Sequence, residues 1–96
     1  MIWPALIRPQ AQADLDHARL WYNTRRPGLG NEFVIEIREA LAVARNNPQR
    51  YAVYYRDFRR ILVKRFPYKI FYRFERERII VFRVLHVRQD HTERLA

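Results

Sequence analysis

The chain has 96 residues, of which 49% are hydrophobic and 15% aromatic, and it carries nineteen basic against ten acidic side chains for a net charge of +9. That length supports one small core, so a single domain over residues 1–96 is expected, and the apolar and aromatic content excludes a disordered chain. No apolar run approaches the roughly 18 residues of a membrane span, and the N-terminus lacks the basic flank and long apolar stretch of a signal peptide. A cytoplasmic protein with no membrane partner is therefore expected. The absence of Cys and Ser excludes disulfides, thiol chemistry, Cys-based zinc sites and a Ser nucleophile.

The charge is nearly all arginine, with Lys64 and Lys69 the only lysines. It is also lopsided: residues 1–48 hold six Arg and five acids, net +1, whereas residues 49–96 hold thirteen basic and five acidic groups, net +8. The planar guanidinium fork suits phosphates and carboxylates, and a field of this sign favours a polyanionic partner, either nucleic acid or an acidic protein. The plainer alternative is a solvated basic surface.

In chain order, Ile2–Arg8 is short and apolar and predicts a strand, which Pro4 confines to a sheet edge. Pro9 suits the first turn of a helix. There Ala11, Leu15, Ala18 and Tyr22 share one face, Trp21 widens it, and His17 faces away. After the turn Arg26-Pro27-Gly28-Leu29-Gly30 a second helix is expected from Gly30 or Asn31, with Asn31 as N-cap. Phe33, Ile37, Leu41 and Ala44 form its apolar face, and it stops at Asn46-Asn47-Pro48. Beyond Arg59 the period becomes two. Strands are expected at 60–66 and 68–74 around Pro67, then a loop at Glu75-Arg76-Glu77-Arg78, then a strand at 79–85 placed centrally because it is the most apolar. Tyr68, Ile70, Tyr72 and Phe74 share one face of the middle run. Lys69, Phe71 and Arg73 share the other. The tail from Val87 reads as polar. The expected fold is α/β in the α+β sense: β-α-α-β-β-β, a mainly antiparallel sheet with a helical hairpin packed on one face and arginines on the other.

Two glycines cannot build a phosphate loop, and His17, His86 and His91 lack the helical spacing of a zinc site, so neither cofactor nor metal is expected. A basic face that would bind an acidic target or an acidic protein partner is the stronger candidate: Arg60, Lys64, Arg65, Lys69, Arg73, His86 and Arg88. Basic side chains there could hold phosphates and neutralise a phosphorane, with His86 or His91 moving a proton during metal-free RNA cleavage. Equally, alternating arginines on a strand face keep a sheet edge from aggregating. Tyr51, Tyr54, Tyr55 and Phe58 interleave with Arg50, Arg56 and Arg59, which fits either a binding surface or the sealed margin of a small core.

The block Phe66-Pro67-Tyr68-Lys69-Ile70-Phe71-Tyr72 and the ending Val84-Leu85-His86-Val87-Arg88-Gln89-Asp90 resemble the RelE/ParE superfamily of bacterial toxins. Ala13-Asp14-Leu15, Trp21-Tyr22, Gly28-Leu29-Gly30 with Phe33, and Asn47-Pro48 agree upstream. The resemblance implies the small RelE/ParE-like fold and a cognate acidic antitoxin that neutralises the toxin in a hetero-oligomer, where a net charge of +9 suits such a mate. It implies one of two targets. A ParE-like member, favoured by the Val84–Asp90 ending and by the lack of a Tyr after Phe82, poisons DNA gyrase without hydrolysis. A RelE-like member cuts mRNA in the ribosome, and its catalytic candidates here would be Lys69, Arg88 and His91. A degenerate relative that binds only its antitoxin is the third alternative.

Overall fold

A computed structural model of the chain describes residues 2–89 and 91–95, leaving aside the side chains of His91 and Thr92. The elements are β1 (Ala5–Ile7), α1 (Pro9–Arg25), α2 (Leu29–Asn46), β2 (Val53–Tyr55), β3 (Phe58–Leu62), β4 (Tyr68–Glu75), β5 (Arg78–His86) and α3 (His91–Leu95). They form one five-stranded sheet in the order β1-β5-β4-β3-β2. β1 runs parallel to β5, and every other pairing is antiparallel.

α1 follows the sequence pattern: Pro9 opens it, and Ala11, Leu15, Ala18 and Tyr22 are its buried residues. α2 starts earlier than Asn31. Its N-cap is Gly28, held at φ 87, a left-handed conformation that glycine enters without a Cβ clash. The Leu29 N–H donates to the Arg26 carbonyl and the Glu32 N–H to that of Gly28, closing the turn before Asn31 is reached. Gly30 is where the helices touch. A Cβ there would run into the Arg19 backbone carbonyl, and its N–H donates to Asn23 Oδ1 at 2.8 Å.

The sheet holds more than the expected strands. β1 is the predicted edge strand, shortened to three residues. β3 ends at Leu62 rather than 66, because the chain turns at Pro67 with the Val63 N–H donating to the Tyr68 carbonyl. Val63 and Phe66 still reach the core. The interleaved aromatic segment supplies β2, which pairs with β3. β5 is buried on both sides but lies next to the edge, and β4 is the middle strand. The turn between them has Arg76 and Glu77 at φ 53 and 60, as a two-residue hairpin with the native strand twist requires.

Alternation along β4 holds. Ile70 and Tyr72 are buried in the main core with Tyr22, Phe33, Ile37, Phe66 and Val81, and Tyr68 and Phe74 pack against it. Tyr72 donates from its hydroxyl to the Pro48 carbonyl at 2.6 Å. The opposite face carries a second cluster of Phe58, Phe71, Leu85 and Leu95, with Tyr55 and Phe82 at its margin. The arginines expected there therefore share the face with apolar rings. The tail is not simply polar, since α3 lays Leu95 over this cluster.

Candidate functional site

The two faces treat charge differently. On the helix-covered face arginines meet acids. Tyr72 faces Val81 while Phe71 faces Arg83, so Phe82 is an extra residue in β5 and the bulge turns Arg83 toward α1. Arg83 Nε and Nη2 donate to the two oxygens of Asp14 at 2.8 Å each, and the Val84 N–H donates to the same carboxylate at 3.0 Å. This bidentate bond pushes the guanidinium pKa of Arg83 up. Arg65 donates to Glu32 at 2.9 Å and lies 3.8 Å from Glu36, while Arg26 also reaches Glu32 at 3.0 Å. The hydrogen bond from Arg65, with the charge of Arg26 behind it, holds the Glu32 carboxyl below the usual range.

On the far face arginines lie on rings. Arg60 sits 3.9 Å from the centre of Tyr54. Arg73 is sandwiched by Phe58 at 4.3 Å and Phe82 at 5.1 Å, and Arg8 covers Phe82 at 4.5 Å. Lys69 is half-buried, in register with Leu62 and Leu85. Among the described residues no carboxylate forms an ion pair with Arg60, Lys69 or Arg73. Stacking fixes a guanidinium plane without cancelling its charge, so this face stays electropositive.

The seven residues of the expected basic face are thus divided. Arg60, Lys69 and Arg73 stand together on the far face. Arg65 is tied to α2, and the exposed Lys64 lies near Glu36 and Glu39 along the groove between α2 and β3. His86 pairs in register with Tyr68, its ring 5.3 Å away edge-on, and its Nδ1 accepts the Arg88 N–H at 3.1 Å. Arg88 is exposed in the following turn. Burial pushes the Tyr68 hydroxyl up. Asp90 and the His91 side chain lie outside the described residues. What spacing alone missed is that Arg8, Arg56 and Arg94, scattered along the sequence, gather beside Arg73. The interleaved aromatics were the one visible signal.

A second surface lies on the helices. Leu20 and Ile35 are 61% and 52% exposed. A groove of about 490 Å³ between α1 and α2 is lined by Ile7, Leu15, Val34, Ile35 and Leu41, with Arg19, Arg38 and Asp16 on its walls.

The molecule is thus a mixed sheet with a helical hairpin on one face and a basic far face. The chain matches the family described as ParE toxin of type II toxin-antitoxin system, parDE, over residues 5–91. It belongs to that family. Among solved structures it resembles the chromosomal ParDE TA system from P. aeruginosa, with a TM-score of 0.77 and 19% identity, covering 88% of this chain and 96% of that one. No curated protein matches it. The chain is a ParE-like toxin whose partner is an antitoxin. Among the described residues no helix is long and apolar enough to cross a membrane.

Proposed function

We propose that this toxin arrests growth in the cytoplasm by inhibiting DNA gyrase, without hydrolytic chemistry, and that its antitoxin silences it by covering surface on the helical hairpin. The observation that carries the target assignment is the set of far-face guanidinium groups held on aromatic rings with no described acid to neutralise them. Such a face is preorganised for an anionic surface, because ring stacking has already restricted the long side chains. The Val84–Asp90 ending supports the ParE-like target over the ribosome.

The antitoxin proposal rests on the groove between α1 and α2. Its apolar floor and the basic Arg19 and Arg38 suit an acidic amphipathic segment, with Leu20 and Ile35 as the surface to be covered. The decisive experiment is a supercoiling assay with purified gyrase and toxin. Inhibition or trapped cleavage complexes at micromolar toxin are expected. Arg60→Gln with Lys69→Gln should weaken them while leaving antitoxin binding intact. Unimpaired supercoiling overturns the gyrase assignment, and cut transcripts in primer extension from arrested cells would replace it with the ribosomal one.

A further inference from the structure

We propose that the far face carries a phosphate-binding site formed by Arg8, Arg56, Arg73 and Arg94. These side chains come from four places in the fold: the residue before α1, the β2–β3 turn, β4 and α3. All four line one hollow of about 230 Å³. Among the described residues no Asp or Glu lines it, and no carboxylate pairs with any of the four. Arg83 also borders the hollow, but its Nε and Nη2 are committed to Asp14, whose carboxylate neutralises it, so it offers no free fork.

Convergence of like charges is unfavourable unless an anion joins them. The orientation is fixed as well. Phe58 and Phe82 hold the plane of Arg73, and Phe82 also carries Arg8. Stacked in this way, a guanidinium can donate only from its edges. One such donor, Arg73 Nε, is buried and has no hydrogen-bond partner. Buried donors in folded proteins are nearly always satisfied, so this N–H marks where an acceptor oxygen belongs.

The shape of the acceptor follows from the number and spread of the donors. A carboxylate is planar and is saturated by one or two forks. A phosphate presents several oxygens in a tetrahedron and takes donors converging from different elements. The hollow exceeds many times the roughly 30 Å³ of one water, which leaves room for a phosphate group. Two sources share this chemistry: a backbone phosphodiester of nucleic acid and a free phosphate.

The test is an NMR titration of the full chain that follows the arginine Nε–H signals as inorganic phosphate is added, with chloride holding ionic strength constant. A saturable shift of the Arg73 signal is expected. Arg73→Gln and, in case that variant does not fold, Arg94→Gln on the exposed α3 should each weaken apparent affinity about tenfold, as loss of a charge-assisted hydrogen bond implies. Arg78→Gln removes the same charge from an exposed position outside the hollow and should change it by less than about twofold. Short duplex DNA that competes with phosphate assigns the site to backbone phosphodiesters, and failure to compete assigns it to free phosphate. The proposal is overturned if the shift does not saturate, if Arg78→Gln costs as much as Arg94→Gln, or if acetate acts with the same midpoint as phosphate. None of these readouts requires gyrase, so its failure and that of the target assignment are separable.

Discussion

The two sides of the sheet use the same residue types to opposite ends. Toward the helices, Tyr22, Phe33, Phe66 and Tyr72 pack into a continuous core, and Arg65 and Arg83 find carboxylates on α2 and α1. On the far side the rings of Phe58, Phe71 and Phe82 form a smaller cluster capped by Leu95, and Arg8, Arg60 and Arg73 lie on rings. One face is largely consumed in making the fold, with Arg26, Arg65 and Arg83 paired to carboxylates. The other is left charged, apolar in patches and fixed in geometry, which is the condition of a surface awaiting a partner. Net charge on its own conceals this division, because it counts neutralised and available guanidinium groups alike.

The comparison breaks first at the main core. Phe33 is fully buried and lies within 4.9–5.4 Å of the rings of Tyr22, Phe66 and Tyr68. Phe33→Ala should lower unfolding free energy by about 3–5 kcal/mol in denaturant melts. A loss below 1 kcal/mol would mean that the hairpin contributes little to stability. Next comes the charge clamp. Asp14→Ala strands Arg83 and the Val84 N–H, and should cost about 2–3 kcal/mol because hydrogen bonds to charged groups are the stronger ones. Its amide exchange protection should fall at residues 82–84, while protection near Ile61 stays unchanged.

On the far side Leu95→Ala should cost about 2 kcal/mol, near the low end for a buried leucine, since it sits on a small cluster at a chain end. The same variant should loosen α3 and spare the α1–α2 groove, so antitoxin affinity is expected to hold within about twofold while phosphate binding weakens. The smallest effect is alkaline. Burial pushes the Tyr72 hydroxyl to about 12, above its unfolded value, so the native state retains that proton longer. The contribution is whole below the unfolded value and is lost as pH rises through the native one. A steepening of instability from about pH 10 to 12 is expected, and Tyr72→Phe should flatten it for a loss of about 1 kcal/mol at neutral pH from the missing bond to Pro48.

Much of this architecture could be read along the chain because it is periodic. Ala11, Leu15, Ala18 and Tyr22 repeat at helical spacing, and Tyr68, Ile70, Tyr72 and Phe74 alternate. Each set needs only its own segment to state which way it points. β2 escaped because three residues between turns carry no period, and α3 because among its described side chains only Leu95 is buried. The early start of α2 escaped because Asn31 is the better cap by propensity, while the Gly28 turn decided where the helix axis could begin.

The sequence by itself determined the helical hairpin, the antiparallel meander, the excess of guanidinium groups behind Pro48 and the likeness to RelE/ParE toxins, since each is written in local spacing or composition. Only the tertiary structure decided which arginines keep their charge. Asp14 lies sixty-nine positions from Arg83, and Arg8 reaches Arg73 and Arg94 only after β1 joins β5 and α3 folds over the sheet. Neutralisation is a matter of distance in space, and separation along the chain does not encode it.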